Sequence, residues 1–429
     1  MKLTALPFCV AALSVGQVAA QPIDPAPLTN PAKGAVSKAR LQALDSFTRS
    51  LVEGGGYLGA VTLIARKDQI VAWRAQGYRD LARTSPMRQD SIFRIYSMTK
   101  TMASVAVLML MEEGKLMLDD PLDKHLPEFA SLKVFSGGNA DAPQLRPPKR
   151  PLTVRHLLTH TGGFATSGKN AEAVKLFNRF DLHHSATLKD YAGYVARQPL
   201  ALDPGERFNY DGVSIEVLGR LVEVLSGLPF DQFLQQRLLT PLAMKDTGFS
   251  VPLAQRHRIA DMVTTDASGA LRIAATLDAQ QPGVILNPYP SGAGGLYSTA
   301  SDYLRFCQML LNGGSLDGVA ILGRKTVDLM MMNHLGSAEV PSGALREGEG
   351  FGLGGYVVLD VAKRGRLGSV GQFGWSGAGS TYYTIDRQEG LIALLLMQHL
   401  PQGLPKDPLK GLHKLPLQLL KQKIKKFNH

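Results

Sequence analysis

The first hydrophobic pattern along the chain is helical. Leu41, Leu44, Phe47 and Leu51 recur at intervals of three or four residues. This spacing places the four side chains on one side of a helix, which the pattern predicts over residues 37–52. The segment before it is rich in proline and small residues, which is typical of a flexible leader.

Two pairs of β-rich runs follow, one pair near each end of the chain. Four mostly polar residues separate the runs of each pair, RKDQ in the first and RQEG in the second, and this arrangement predicts two hairpins. Because helical sequence lies between the two pairs, we expect one sheet that is completed by distant segments. The runs cover residues 58–65 and 70–76 in the first pair and residues 381–386 and 391–398 in the second.

The middle of the chain, residues 120–282, is predicted to form a mostly helical subdomain inserted into this sheet-containing part. Residues 37–119 and 283–429 then make up the α/β part of a single domain. Within the insertion, residues 136–151 are dense in glycine, proline and charge, which predicts an exposed loop. At 429 residues and 45% apolar content, the chain is large enough to bury a substantial core.

The amino-terminal end has the pattern of a signal peptide. A lysine precedes an apolar stretch that ends in small residues, and Val18 and Ala20 occupy the positions that a signal peptidase reads. We therefore predict a signal peptide at 1–20, a flexible leader at 21–36, and an exported protein that is periplasmic or secreted. Cys307 is then the sole remaining cysteine, so neither an intramolecular disulfide nor a cysteine-based metal site is expected.

The net charge of +11 is concentrated near the carboxyl end. Seven lysines and one aspartate lie between positions 406 and 429, interleaved with leucines. This pattern predicts a closing helix whose apolar side packs on the sheet while its lysines stay in water. Contact with an anionic membrane surface is the alternative. Aromatic-basic patterning is lacking, so we expect no nucleic-acid binding, and the oligomeric state stays open.

The most informative motif is Ser-x-x-Lys at the start of an apolar run. Residues 97–100 read SMTK, and the run after them ends at Gly114. A buried helix with a glycine stop fits this pattern, and it stacks Ser97 and Lys100 one turn apart. Because burial disfavours an ammonium ion, Lys100 is a candidate neutral base for a Ser97 nucleophile.

Three further segments follow this motif in an order that resembles the serine β-lactamase and penicillin-binding-protein superfamily, particularly its class C-like branch. The resemblance extends from about residue 41 to about residue 398. It implies a β-lactamase/transpeptidase-like α+β fold, with an antiparallel sheet flanked by helices, a helical lobe, and the site in the cleft between them. The four segments read FRIYSMTK at 93–100, LTVRHLLTHTGG at 152–163, PGERFNY at 204–210 and GAGGLYSTASD at 292–302.

The resemblance also implies roles for individual residues. Tyr210 stands where the superfamily has the catalytic tyrosine that relays a proton to the leaving group. Residues 374–378, GWSGA, stand where lactamases carry Lys-Thr-Gly on an edge strand. The backbone N–H groups of Ser97 and Ala378 are then expected to form the oxyanion hole. The substrate-binding residues implied in this way are Trp375, Ser376 and Gly377.

Two departures from the lactamase pattern favour an esterase. Tyr210 is followed by Asp211 and Gly212, where lactamases commonly have Tyr-x-Asn, and Lys325 belongs to a helix-like segment without the glycine of Lys-Thr-Gly. Trp-x-Gly in its place is similar to family VIII carboxylesterases, which share the lactamase fold and mainly cleave esters. The hypothesis is an exported carboxylesterase that forms an acyl-enzyme on Ser97, takes a small-molecule ester and needs no cofactor.

The alternatives keep the same scaffold. They are a β-lactamase, a D-amino-acid or D-alanyl peptidase, an amide hydrolase, and a non-catalytic penicillin-binding sensor that is acylated without turnover. His160, His183 and His184 receive no catalytic role, because the constellation needs no Ser-His-Asp triad. The absence of Gly-x-Ser-x-Gly around Ser97 argues against an α/β-hydrolase, and His-Glu-x-x-His, a metal-binding pattern, is absent from the sequence.

Overall fold

The computed structural model describes residues 36–54, 56–168 and 170–401. The predicted signal peptide, nearly all of the leader and the basic closing segment lie outside the described residues. Within those ranges, no helix is both long and apolar enough to cross a membrane. The helices are α1 Lys38–Glu53, α2 Thr99–Glu112, α3 Val154–Leu158, α4 Ala171–Phe177, α5 Leu188–Ala196, α6 Val213–Ser226, α7 Phe230–Leu234, α8 Leu277–Gln280, α9 Ala300–Leu311, α10 Arg324–Met330 and α11 Val361–Arg364.

The strands form one large antiparallel sheet and several short hairpins or ladders. In the described part of the chain, the large sheet has seven strands in the order β11-β12-β13-β14-β15-β1-β2. The strands are β1 Gly59–Arg66, β2 Gln69–Gly77, β3 Phe93–Arg94, β4 Val134–Gly138, β5 Pro143–Arg146, β6 Val263–Thr265, β7 Leu271–Ile273, β8 Tyr297–Ser298, β9 Ser315–Leu316, β10 Val319–Ala320, β11 Glu349–Phe351, β12 Tyr356–Val358, β13 Phe373–Gly377, β14 Thr381–Asp386 and β15 Leu391–Leu396.

Strands from near the two ends of the described chain pair with each other in the large sheet. Strand β1 pairs with β15, and Leu63 lies opposite Leu394 in this ladder. Alternate side chains face opposite sides of the sheet: Leu63 and Leu394 join the main core, whereas Ile64 and Leu395 pack on the side of α1. Burial on both faces explains why these strands read as continuous apolar runs. The predicted antiparallel sheet completed by distant segments, and with it the α+β class, is confirmed.

In the described chain, helices, three short hairpins (β4–β5, β6–β7 and β9–β10) and the β3–β8 ladder occupy the region between the two sheet segments. Helix α6 packs against α2, α5, α3 and α7, and so joins this region to the helix that carries Lys100. The predicted loop at residues 136–151 is wrong in part, because β4 and β5 pair there as a hairpin. Val134 and Phe135 are buried at its base, while most of the later residues are exposed or half-buried. The subdomain boundaries stay a prediction.

Helix α2 is buried along nearly its whole length, as its sequence predicts. Its residues from Thr99 to Leu110 are all buried. Gly114 follows the helix with a φ of +71°, a left-handed conformation that glycine adopts without steric cost. Ser97 itself lies in a 3₁₀ turn, Tyr96–Met98, which runs directly into the helix.

Candidate active site

The turn that carries Ser97 is held in a strained conformation. Tyr96 has a φ of +43°, which is uncommon for a residue with a large side chain. Its hydroxyl donates a hydrogen bond of 2.5 Å to the buried carboxylate of Asp278. Burial, reinforced by that carboxylate, raises the pKa of Tyr96 above its ordinary value, so the phenol stays neutral and can donate. The Ser97 side chain is left half-buried beside the first turn of α2.

Lys100 lies within hydrogen-bond reach of the nucleophile. Its Nζ is 3.1 Å from Ser97 Oγ, and it donates a second hydrogen bond of 2.5 Å to the Ala293 carbonyl. The residue is only 4% exposed, so water has little access to the amine. The one-turn spacing predicted from Ser-x-x-Lys therefore brings a hydroxyl and an amine together in a dry environment.

Tyr210 also lies close to the Lys100 amine. The Nζ atom of Lys100 is 5.1 Å from the centre of the Tyr210 ring. Trp375 donates a hydrogen bond of 3.0 Å from its Nε1 to the Tyr210 hydroxyl oxygen. An N–H donor stabilises negative charge on a phenol oxygen and leaves the phenol proton free for another acceptor. Tyr210 and Trp375, which lie 165 positions apart in the sequence, thus form one unit.

Strand β13 is pressed against the nucleophile turn at its last residue. A Cβ atom on Gly377 would collide with the Ile95 carbonyl oxygen and with Thr381 Oγ1. Thr381 also donates from Oγ1 to the Ile95 carbonyl at 3.3 Å. This packing places the end of the GWSGA segment next to Ser97, with Trp375 and Ser376 half-buried and Ala378 exposed. The pairing of the Ser97 and Ala378 N–H groups as an oxyanion hole stays a prediction.

The two residues after Tyr210, Asp211 and Gly212, differ from those of Tyr-x-Asn in sequence and also in the structural role they have. Asp211 is buried and caps the first turn of α6, accepting hydrogen bonds from the Ser214 N–H at 2.6 Å and the Ser214 hydroxyl at 3.1 Å. Gly212 stands where the amide is usually found, and a Cβ atom there would lie 3.4 Å from the Ala293 Cβ. The position beside Ala293 is therefore left without a side chain.

Of the three histidines considered above, His160 packs against the Tyr210 ring, and His183 and His184 lie together in a separate turn. His160 is fully buried with its ring centroid 4.7 Å from that of Tyr210. Burial lowers the pKa of His160, so the imidazole is neutral and supports the Tyr210 ring as a packing partner. His183 and His184 lie in an exposed 3₁₀ turn, where His184 pairs with Asp181 at 2.6 Å.

The sequence interpretation missed one buried acid near this site. Glu216 accepts hydrogen bonds from the Ser291 hydroxyl at 2.5 Å and from the Gly292 N–H at 2.9 Å. Burial raises the pKa of Glu216 to about 7, against the opposing effects of these hydrogen bonds and of Lys100. The signal in the sequence is a lone acid in the otherwise apolar first half of α6, because an acid is rarely buried without a partner.

These groups together can carry out acyl transfer. Ser97 supplies a nucleophilic oxygen, the Lys100 amine can take its proton, and Tyr210 can pass a proton to a leaving atom. Lys325, the lysine of the helix-like segment, lies in α10 as predicted. No group of three or more His, Cys, Asp or Glu side chains in the described ranges is arranged to hold a metal ion.

The chain is similar to known proteins over most of its length. A family model described as Beta-lactamase matches residues 44–413. Protein Rv1367c of Mycobacterium tuberculosis is 35% identical over 82% of this chain and 88% of its own length. Esterase EstB of Burkholderia gladioli is 30% identical over 85% of this chain and 91% of its own length.

A solved structure is similar over nearly the whole chain. It is described as EstCE1, a hydrolase with promiscuous acyltransferase activity, and it superposes with a TM-score of 0.72 at 26% identity. The match covers 89% of this chain and 98% of that one. The resemblance to the β-lactamase and penicillin-binding-protein superfamily that the motifs predict is confirmed, and the chain belongs to the beta-lactamase family as a serine hydrolase.

Proposed function

We propose that this protein is a carboxylesterase that cleaves small esters through an acyl-enzyme on Ser97. Ser97 Oγ forms a bond to the ester carbonyl carbon as its proton passes to Lys100. Tyr210 then delivers a proton to the alkoxide as its bond to the carbonyl carbon breaks. In the second half of the cycle, water gives a proton to the Tyr210 phenolate as its oxygen bonds to the acyl carbon. The bond from that carbon to Ser97 Oγ then breaks, the acid leaves, and the Lys100 ammonium ion returns its proton to Ser97.

The observation that carries this proposal is the hydrogen bond between Trp375 and Tyr210. Lactamases and transpeptidases have a lysine cation in the element where this chain has Trp375, and that cation suits a substrate carboxylate. An indole offers an N–H donor and an apolar surface but no positive charge. Desolvating a substrate carboxylate against such a surface without a counter-charge is costly, whereas an uncharged ester incurs no such cost.

The similarity to EstB supports the same choice of substrate class, since that relative is named an esterase. The rival functions are a β-lactamase, a D-alanyl peptidase or an amide hydrolase with the same nucleophile. A non-catalytic sensor would be acylated on Ser97 but would not turn over.

Parallel kinetics with two chromogenic substrates test the proposal. We expect a much larger kcat/KM for a short-chain p-nitrophenyl ester than for a penicillin, with at most slow hydrolysis of a cephalosporin. Trp375→Lys should narrow this gap by weakening ester turnover and improving capture of the β-lactam. Ser97→Ala is the matched blank for both substrates. Rapid penicillin hydrolysis with negligible ester cleavage would overturn the carboxylesterase assignment.

A further inference from the structure

The Ser291–Gly292–Ala293 segment lies between two buried ionisable side chains, an acid and an amine. On one side both carboxylate oxygens of Glu216 are occupied, Oε1 by the Ser291 hydroxyl and Oε2 by the Gly292 N–H. On the other side the Ala293 carbonyl accepts the short hydrogen bond from Lys100 Nζ. Glu216 and Lys100 are each 4% exposed. Hydrogen bonds to Glu216 at one end and to Lys100 at the other thus hold the same three-residue backbone segment.

This carboxylate has few neighbours that titrate. Lys100 of α2 acts on it electrostatically, and the buried phenols of Tyr191 on α5 and Tyr289 face it. The carboxylate contributes to raising the pKa of both phenols above their ordinary value, so both stay neutral. Lys100 is therefore the basic group with which Glu216 interacts electrostatically, and shielding from water strengthens such an interaction.

We propose that Glu216 is a positioning residue for Lys100 that acts through the Ala293 carbonyl and through its own negative charge. The proposal rests on the proposed function, in which Lys100 takes the Ser97 proton. The fixed carbonyl aims the amine at Ser97 Oγ. The carboxylate stabilises the ammonium ion that forms as the Ser97 O–H bond breaks, the new N–H bond forms on Lys100, and the serine oxygen bonds to the substrate carbon.

Glu216→Gln removes the negative charge of the side chain while keeping its size and shape. The amide has the same size, its oxygen can accept from the Gly292 N–H, and its nitrogen can donate to the Ser291 hydroxyl oxygen. The variant therefore resembles the wild-type protein with a protonated Glu216. Since burial raises the pKa of Glu216 to about 7, the two proteins carry the same charge here well below that pH and differ by one charge well above it.

The readout is the ratio of wild-type to Glu216→Gln kcat for a short-chain p-nitrophenyl ester, measured from pH 5.5 to pH 9. We expect the ratio to rise with pH, from near one at the acid end to roughly tenfold at the alkaline end, a factor typical of one buried charge interaction. KM should change little, because the carboxylate does not contact substrate. A structural role alone would change kcat by the same factor at every pH.

Two controls complete the experiment. Glu223→Gln removes a carboxylate two turns further along the same helix, where Glu223 pairs with Arg220, and its kcat ratio should stay near one at all pH values. Ser291→Ala removes the hydrogen bond between Ser291 and Glu216 while keeping the Glu216 charge. It should lower kcat by a constant factor across the pH range.

The outcomes separate this inference from the proposed function. A ratio for Glu216→Gln that does not change with pH overturns the charge role, and an unchanged kcat in Ser291→Ala overturns the positioning role. If Glu216→Gln does not fold, Ser291→Ala alone decides the positioning role. If wild type and Glu223→Gln both fail to cleave the ester, the proposed function itself is wrong.

Discussion

Trp375 contributes to the site through one polar atom as well as through its surface. Its Nε1 donates to the Tyr210 hydroxyl, and its ring packs edge-on against Phe351 with centroids 5.1 Å apart. Phe351 belongs to a small aromatic cluster that also holds Phe208. This packing against Phe351 holds the indole ring in place, so the direction of its N–H is fixed as well. We expect this donor to set how readily Tyr210 gives up and regains its proton.

Trp375→Phe should lower kcat for a short-chain ester by about tenfold, because it removes one hydrogen bond to a group that gains charge in the transition state. It keeps an aromatic ring on the apolar wall of the site. In the background of Tyr210→Phe, which lacks the hydroxyl, the same change should have almost no further effect, since the two residues act as one unit. Steady-state kinetics of the two single variants and the double variant give this comparison.

Trp73→Phe is the matched control for that experiment. Trp73 is the other tryptophan of the sequence. It lies buried on β2, and its Nε1 has no hydrogen-bond partner within the described residues. Its replacement should leave kcat unchanged. An additive loss in the Trp375→Phe, Tyr210→Phe double variant would contradict the view that the indole works through the tyrosine hydroxyl.

The sequence indicated candidate site residues more readily than it indicated which of them are in contact. Ser97 and Lys100 lie within one helical turn, so their spacing alone predicted their approach. The contact between Tyr210 and Trp375 depends on how β13 meets the segment before α6, which local pattern does not contain. Glu216 was missed because its partners, Ser291 and Gly292, come from a segment some 75 positions away.

Among the contacts between secondary-structure elements, the one between the end of β13 and the backbone at Ile95 is critical for the site. Gly377 lets the strand approach the backbone at Ile95, immediately before the nucleophile turn. In Gly377→Ala the added methyl group has no space, so the strand must move away from Ser97. We expect unfolding to become easier by about 1–3 kcal/mol, as in other overpacked sites. Ester turnover should fall by a larger factor, because small displacements of catalytic groups are costly.

Gly193→Ala is the control for Gly377→Ala. Gly193 lies within α5, and the space around its Cβ position is open. The substitution should leave activity unchanged and stabilise the protein by up to about 1 kcal/mol, because alanine is the better helix former. Urea unfolding and ester kinetics on both variants make the comparison. Wild-type activity in Gly377→Ala would show that the strand end does not shape the site.

Elements with a clear apolar pattern were predicted from the sequence, and an element without one was not. The α1 helix follows from regular spacing of large apolar side chains, and the two hairpins of the large sheet follow from apolar, β-rich runs separated by short polar segments. The hairpin β4–β5 was missed because its glycine-rich sequence has the composition of a loop. Its strands pair through backbone hydrogen bonds, and Val134 and Phe135 anchor them from just outside the biased segment.

At the scale of the whole molecule, the large sheet joins segments from near both ends of the described chain. Strand β15, close to the carboxyl end of the described chain, lies between β14 and β1. The sequence predicted that distant hairpins share one sheet, because strand-forming runs lie near both ends of the chain with helical sequence between them. The order of the strands did not follow from pattern, since several orders bury the same apolar side chains.

At the same scale, we propose that the protein is exported and that its signal peptide is removed after Ala20. Expression of the full sequence in a bacterial host with intact secretion, followed by mass determination, tests this. The exported protein should begin at Gln21 and should carry an unmodified Cys307, which is fully buried. A mass that retains the leader, or a lipid attached to Cys9, would contradict the proposal.

The most direct test of the central claim is to trap the acyl-enzyme. A p-nitrophenyl ester is mixed with the protein and quenched in acid within milliseconds, and the intact mass and the peptide carrying Ser97 are then measured. We predict a burst of p-nitrophenol, a mass gain of one acyl group on Ser97, and decay of this adduct as turnover ends. An adduct on a different residue, or ester turnover that persists in Ser97→Ala, would contradict the assignment of Ser97 as the nucleophile.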